Sequence, residues 1–141
     1  MPHHDLVLVT GASGFVGKWC VVKLLEKGYH VRGTIRSDAK AAQVRATVSG
    51  LVGDEAAGRL ELVKADILAD AGWSEAMAGV DAVMHVATII RGDEPKDPSV
   101  VIRPAVEGTE RILRMAHQAG IKRFILTSSI ATVGYGHGQT P

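Results

Sequence analysis

The sequence is poor in cysteine, in aromatic residues and in charge of one sign. Its 141 residues include one cysteine, Cys20, which excludes an intrachain disulfide and is typical of a reducing compartment such as the cytoplasm. The net charge of +1 produces no strong field, so we expect no nucleic-acid partner. No apolar run approaches the length of a membrane span, so no membrane partner is expected. With one cysteine and six scattered histidines, we also expect no metal site.

The remaining composition is that of an ordinary globular domain, 46% hydrophobic and 22% charged. Apolar runs predict strands over residues 5–10, 29–35, 60–65, 82–87 and 123–128. Between them, helices are predicted over 15–27, through a polar stretch from 40 that loosens at 50–53, and over 73–77 and 99–119. Pro104 should kink the last helix or mark its first turn. Alternating strands and helices predict an α/β fold whose parallel sheet is covered on both faces.

The first predicted strand runs directly into three glycines, Gly11, Gly14 and Gly17, and then into a helix. This context predicts dinucleotide binding. Gly11 permits a sharp turn, Gly14 leaves room for a pyrophosphate, and Gly17 lets the helix pack close to the strand. The helix N-terminus adds N–H groups and partial positive charge for the phosphates. The spacing G-x-x-G-x-x-G differs from the standard G-x-G-x-x-G, so a glycine-rich turn that binds nothing is the alternative.

The end of the second strand, roughly 20 residues beyond the glycines, is where such proteins read the cofactor's ribose. The residue found there is Arg36, and Arg32 and Lys40 add positive charge nearby. An arginine can pair with the 2′-phosphate of NADP, whereas an acid would favour NAD. Asp38 argues against this interpretation, and a solvated charge at the strand end is the alternative.

Polar and small residues follow the next two strands. Asp66 could accept a hydrogen bond from the adenine amino group, although Asp is also a common helix cap. The small residues Val86, Ala87 and Thr88 would let a cofactor lie across the sheet edge. His85, inside the same strand, is expected to be a core or edge histidine with satisfied hydrogen bonds.

Three hydroxyl side chains, Thr127, Ser128 and Ser129, end the fifth strand. At this edge they would face the same crevice as the glycines, and a serine could hold a substrate oxygen. The alternative is a turn in which the hydroxyls bond to the backbone.

Together these motifs resemble the extended short-chain dehydrogenase/reductase superfamily, within it most of all the group of dihydroflavonol, cinnamoyl-CoA and bacterial aldehyde/ketone reductases. The matching stretches are residues 10–17 (TGASGFVG), 31–37 (VRGTIRS), 65–67 (ADI), 85–88 (HVAT), 106–109 (VEGT) and 122–129 (KRFILTSS). The resemblance covers nearly the whole chain in order. It implies a Rossmann-type doubly wound parallel sheet, truncated here after the fifth strand.

The resemblance also implies NADP (NADPH) as the cofactor. The residues that it places around NADP are Gly11, Ser13, Gly14, Phe15, Val16 and Gly17 in the glycine turn, Arg36 and Lys40 at the 2′-phosphate, Asp66 and Ile67 at the adenine, Val86, Ala87 and Thr88 at the ribose region, and Thr127. Ser129 best matches the superfamily's catalytic serine, and Ser128 is the alternate.

The activity that the resemblance implies is NADPH-dependent reduction of a carbonyl on an aldehyde, ketone, dihydroflavonol-like or other apolar substrate. The superfamily's Tyr-x-x-x-Lys motif is absent from the 141 residues, because neither Tyr29 nor Tyr135 is followed by lysine at the fourth position. We therefore expect residues 1–141 to be the NAD(P)-binding part of a longer enzyme, without its substrate lobe and inactive alone.

Two other functions stay open. One is a nucleotide-sugar epimerase or dehydratase of the same superfamily, which Arg36 disfavours because those enzymes commonly carry an acid at this position. The other is a non-catalytic module that binds or senses NADP. The expected partner is a small-molecule carbonyl substrate, with a homodimer as an open alternative.

Overall fold

The computed structural model describes residues 5–89 and 95–138. Within these residues the elements are β1 (Leu6–Thr10), α1 (Phe15–Glu26), β2 (His30–Ile35), α2 (Asp38–Val52), α3 (Asp54–Ala57), β3 (Leu60–Lys64), α4 (Trp73–Met77), β4 (Ala82–His85), α5 (Ser99–Gln118), β5 (Arg123–Leu126) and α6 (Ala131–Gly134). The strands form one parallel sheet in the order β3-β2-β1-β4-β5. The predicted Rossmann-type α/β fold is confirmed.

Alternation along β1 divides the core into two layers, because successive side chains of a strand point to opposite faces. Val7 and Val9 pack into a buried cluster with α1 and α2. Leu8 packs into a second cluster on the opposite face, together with Trp73 of α4 and Ile112 of α5. The sheet is therefore covered by helices on both faces, as its largely apolar strands predict.

The fourth strand is shorter than predicted, since β4 ends at His85 rather than at residue 87. The reason is a side chain: the Thr10 hydroxyl accepts hydrogen bonds from the N–H groups of Val86 and Ala87, at 3.0 and 2.9 Å. These N–H groups are consequently used by a side chain and not by a neighbouring strand. The small residues after β4 belong to a loop that crosses the sheet edge.

Two helix predictions need correction. Helix α2 does not loosen around residue 50 but continues to Val52, and it ends at Gly53, whose φ of +80° favours glycine. Pro104 does not mark the first turn of α5, which begins at Ser99. The other half of that prediction, a kink at Pro104, stays a prediction. Within residues 5–89 and 95–138, no helix has the length and apolar character that crossing a membrane requires.

Candidate functional site

The carboxyl ends of the strands open onto a crevice of about 350 Å³. It lies where the chain order reverses, since β2 and β3 extend the sheet on one side of β1 and β4 and β5 on the other. The lining residues are Gly11, Ser13, Gly14, Phe15, Val16, Gly17, Thr34, Ile35, Arg36, Ala65, Asp66, Ile67, Leu68, Val86, Ala87, Thr88, Ile89 and Thr127. All the predicted cofactor residues except Lys40 are thus brought to one crevice.

The glycine turn lets the backbone of two neighbouring segments come close to it, namely the loop after β4 and the start of α1. Gly11 has a φ of +71°, and a Cβ there would lie 3.0 Å from the Cα of Ala87 in the loop after β4. A Cβ on Gly17 would overlap the carbonyl oxygen of Gly11. A Cβ on Gly14 would meet only the Gly11 oxygen, at 3.3 Å, so the crevice side of Gly14 stays open. Because Gly11 and Gly17 carry no Cβ, the start of α1 can pack tightly against the end of β1.

The first turn of α1 presents backbone donors to the crevice. Helix hydrogen bonding starts at Lys18, whose N–H donates to the carbonyl of Gly14 at 3.0 Å. Among the described residues, no hydrogen-bond acceptor is found for the N–H groups of Phe15, Val16 and Gly17. Free N–H groups at a helix N-terminus, together with the helix dipole, form an anion-binding site.

Thr34 of β2 holds the glycine turn in place, a role that the sequence did not reveal. Its hydroxyl accepts a hydrogen bond from Gly11 N–H at 3.0 Å, and its carbonyl accepts one from Ala12 N–H at 3.0 Å. Thr34 is 3% exposed. A threonine in the middle of an apolar strand signals its burial, but the partner is set by the pairing of β1 with β2.

Arg36 and Asp38 lie in different surroundings at the end of β2. Arg36 lines the crevice and has no ion-pair partner in the part of the chain that the structure describes. The Asp38 carboxylate accepts a hydrogen bond from the Lys64 ammonium at 2.7 Å. Lys40 lies in the first turn of α2, outside the crevice lining, with Nζ 3.5 Å from Oε1 of Gln43.

Arg32 does not add charge near Arg36, and that prediction is wrong. The Arg32 guanidinium pairs with Glu61 at 2.8 Å and donates to the Ala76 and Ala78 carbonyls, at 3.1 and 2.6 Å, at the end of α4. Arg32 lies four residues before Arg36, inside β2, where its side chain reaches the carbonyls at the end of α4. It caps α4 and is not among the residues that line the crevice.

The loop after β3, which carries Asp66 and Ile67, is held by two helices. The carbonyl of Asp66 accepts a hydrogen bond from the Trp73 indole N–H at 2.9 Å, and that of Ile67 accepts one from the Arg111 guanidinium at 2.6 Å. Arg111 also pairs with Asp70 at 2.5 Å, and this contact lowers the pKa of the Asp70 carboxyl. The loop is thereby positioned at the crevice by residues distant in sequence.

The Asp66 side chain closes a turn, with its carboxylate accepting the Leu68 N–H at 2.9 Å. It does not cap a helix, because the next helix begins only at Trp73. Asp66 lines the crevice, and only one of its two carboxylate oxygens is used in this turn. Its role at the adenine stays a prediction.

His85 is buried and hydrogen-bonded, as predicted. It is 2% exposed, and its Nδ1 lies 2.8 Å from the Thr10 hydroxyl. Its Nε2 lies 3.4 Å from the Thr109 hydroxyl of α5. Burial lowers the pKa of His85 below its usual value of 6.5.

Of the three hydroxyl residues after β5, Thr127 lines the crevice, and Ser128 and Ser129 do not. The Ser129 hydroxyl accepts a hydrogen bond from the Ala131 N–H at 3.2 Å, next to the short helix α6. The Ser129 hydroxyl is thus bonded to the backbone of a turn, as in the alternative interpretation given for these residues. The catalytic role of Ser129 stays a prediction.

A parallel sheet of order 3-2-1-4-5, with a glycine turn and a helix N-terminus at the reversal point, defines the class of Rossmann dinucleotide-binding domains. The comparison with protein families agrees: the model described as "NAD dependent epimerase/dehydratase family" matches residues 7–141. The chain belongs to this family, which is the extended short-chain dehydrogenase/reductase group indicated by its motifs.

Curated relatives in this family carry reductase names. The chain is 44% identical to a dihydroflavonol 4-reductase of Hordeum vulgare over 136 residues, which cover 96% of the chain and 38% of the relative. It is 41% identical to cinnamoyl-CoA reductase 1 of Petunia hybrida over 139 residues, which cover 97% of the chain and 39% of the relative. The chain thus spans less than half the length of these relatives.

Solved structures show the same likeness. The crystal structure of yeast methylglyoxal/isovaleraldehyde reductase Gre2 complexed with NADPH matches with a TM-score of 0.75 and 26% identity, over 89% of this chain and 37% of that one. Vestitone reductase from alfalfa (Medicago sativa L.) matches with a TM-score of 0.68 and 32% identity, over 87% of this chain and 36% of that one.

Proposed function

We propose that the crevice binds NADP(H) and that the protein reduces a carbonyl by hydride transfer. The observation that carries this proposal is the juxtaposition of a helix N-terminus with free N–H groups, at residues 15–17, and Arg36 at the end of β2. The similarity to enzymes named dihydroflavonol 4-reductase and cinnamoyl-CoA reductase supports a carbonyl substrate, and the similarity to a reductase complexed with NADPH supports the cofactor.

Each part of the crevice suits one part of the dinucleotide. The free N–H groups of Phe15, Val16 and Gly17 would bind the pyrophosphate. Arg36 would pair with the 2′-phosphate, for which its planar fork is suited. The loops that carry Asp66 and Ala87 would hold the two ends of the molecule against the sheet edge.

Bound NADPH supplies the hydride, and the protein supplies orientation and proton transfer. We propose that the hydroxyl of Ser129 turns from the Ala131 N–H to hold the carbonyl oxygen of the substrate. The proton for that oxygen would come from a tyrosine of a Tyr-x-x-x-Lys motif, which residues 1–141 do not contain.

A second candidate is epimerase or dehydratase chemistry on a nucleotide sugar, because the matching family model bears that name. Arg36 distinguishes the two candidates, since an arginine is suited to a 2′-phosphate. Assays of the full-length protein with NADPH and carbonyl compounds, and separately with nucleotide sugars and NAD, decide between them. Turnover of a nucleotide sugar without net oxidation of cofactor would contradict the reductase proposal.

The binding site is tested with Gly14→Val. The new side chain would fill the place proposed for the pyrophosphate, so we expect NADPH binding by the full-length protein to be lost in calorimetric titration. Gly50→Val is the matched control, because Gly50 is exposed in α2 and a Cβ there meets nothing within 4 Å. Circular dichroism verifies that both variants fold, and Gly14→Ala provides a milder replacement. Unchanged affinity in folded Gly14→Val would contradict the proposed site.

A further inference from the structure

The hydroxyl of Thr10 is the centre of a hydrogen-bond arrangement at the reversal point of the sheet. It accepts from the N–H groups of Val86 and Ala87, at 3.0 and 2.9 Å, and it lies 2.8 Å from Nδ1 of His85. A hydroxyl has two acceptor lone pairs and one proton. The two N–H groups use both lone pairs, so the hydroxyl proton is directed to His85.

This count determines the protonation of the imidazole ring. Nδ1 of His85 must be an unprotonated acceptor, because the group that faces it within the described residues is a hydroxyl whose lone pairs are used. The ring proton is then on Nε2, which faces the hydroxyl oxygen of Thr109 at 3.4 Å. His85 is thereby defined as the neutral Nε2–H tautomer.

The contacts that the described part of the chain makes with the imidazole ring are all uncharged. Its contacts from the packed elements are Thr10 of β1, Thr109 of α5 and the ring of Phe124 in β5, whose centroid is 6.2 Å away. Within residues 5–89 and 95–138, no hydrogen bond or ion pair brings a carboxylate or a cation to His85. Burial therefore acts on its pKa unopposed and lowers it.

The segment that Thr10 binds, Val86 and Ala87, lies directly against the glycine turn. A Cβ on Gly11 would be 3.0 Å from the Cα of Ala87, so a small shift of Ala87 alters the width of the crevice. Val86, Ala87 and Thr88 all line that crevice. The bonds made by Thr10 thus fasten the backbone of Val86 and Ala87 at the point where it contacts the turn after β1.

We propose that His85 is a positioning residue for the dinucleotide site, which acts by accepting the Thr10 hydroxyl proton and thereby aiming the Thr10 oxygen at the backbone of Val86 and Ala87. The proposal rests on the NADPH site proposed above. Protonation of His85 would place a proton on Nδ1, facing the Thr10 oxygen, and one of the two backbone bonds would have to break. NADPH affinity should therefore fall as the pH decreases below the usual histidine value of about 6.5.

The test combines two positions, each with a disabling and a conserving variant, in the full-length protein. Thr10→Val and His85→Leu remove the hydroxyl and the acceptor. Thr10→Ser keeps the hydroxyl, and His85→Asn keeps an acceptor near the position of Nδ1 but cannot be protonated. NADPH dissociation constants are measured between about pH 5 and pH 8, the range in which histidine titrates.

We expect Thr10→Val and His85→Leu to weaken NADPH binding about tenfold at neutral pH, as expected for the loss of one or two hydrogen bonds. Thr10→Ser and His85→Asn should stay within about threefold of the natural protein, because the first keeps the hydroxyl and the second keeps an acceptor for its proton. His85→Asn should also lose the decline in affinity at low pH. A merely structural role predicts that His85→Asn is as weak as His85→Leu, and that result would overturn the proposal, as would full affinity in Thr10→Val.

Two measurements without NADPH separate this proposal from the cofactor assignment. The ¹⁵N chemical shifts of His85 should show a bare Nδ1 and a protonated Nε2. The amide protons of Val86 and Ala87 should exchange slowly, and about tenfold faster in Thr10→Val, reflecting the lost bonds. If NADPH does not bind at all, the cofactor assignment fails while these measurements still decide the role of His85. A protonated Nδ1 at neutral pH, or unchanged exchange in Thr10→Val, would refute it.

Discussion

At the end of β2, two residues of opposite charge bear on the choice between NADP and NAD. Asp38 could compete for the ribose, but its carboxylate is 2.7 Å from the Lys64 ammonium. Arg36 lines the crevice. Charge-assisted hydrogen bonds contribute roughly 1.5–3 kcal/mol. One such pair to the 2′-phosphate would favour NADP over NAD by about ten- to a hundredfold.

We predict that Arg36→Ala reduces NADPH affinity by that factor and barely changes NADH affinity, as measured by fluorescence titration of the full-length protein. Lys40→Ala is the comparison, because Lys40 lies outside the crevice lining and should have the smaller effect. Equal losses for NADPH and NADH in Arg36→Ala would mean that Arg36 stacks on the adenine or supports the fold, and does not read the phosphate.

Among the elements, α5 has the clearest indirect role at the site. Gly108 lets this helix approach the loop after β3, since a Cβ there would be 3.2 Å from the Cβ of Ile67. Arg111, one turn later, donates to the Ile67 carbonyl and pairs with Asp70. The loop after β3, which lines the crevice, is thus fastened to a helix from a different part of the chain.

We predict that Arg111→Met lowers the free energy of unfolding by about 1.5–3 kcal/mol, because it leaves the Ile67 carbonyl without its charged donor. Arg103→Met on the same helix is the control. Its contact with Glu107 is an exposed pair at 3.9 Å, so it should cost less than about 1 kcal/mol. Urea unfolding measures both, and equal effects would show that Arg111 contributes no more than a surface charge.

At the scale of the whole molecule, apolar side chains remain exposed along β5 and after it. Ile125 and Leu126 are 54% and 51% exposed, and Ile130, Val133 and Tyr135 are more exposed still. An exposed apolar edge strand is prone to pair with another chain. We therefore expect residues 1–141, prepared alone, to associate at high concentration.

Residues 1–141 alone should also show no reductase activity, since they contain no Tyr-x-x-x-Lys to protonate the carbonyl oxygen. The measurement is NADPH consumption with a panel of aldehydes and ketones, with the full-length protein as the positive control. Turnover by residues 1–141 alone would show that the chemistry has been assigned to the wrong residues.

The sequence alone was sufficient to predict the fold, because strands and helices leave local patterns of apolar residues. Apolar runs alternating with helical periodicity predicted the parallel sheet, and Gly11, Gly14 and Gly17 indicated the edge at which its crevice lies. Residues at the ends of successive parallel strands necessarily meet at one edge, and so Arg36 and Asp66 could be assigned to one crevice without coordinates.

Only the tertiary structure decided which way the side chains turn and what they contact. Arg32 and Arg36 are near neighbours in sequence, yet one caps α4 and the other lines the crevice. The contributions of Thr34 and Arg111 depend on strand register and helix docking, which leave no local pattern. β4 ends early because Thr10, on another strand, takes its backbone donors. Such hydrogen bonds join residues far apart in the chain, so spacing along the sequence carries no record of them.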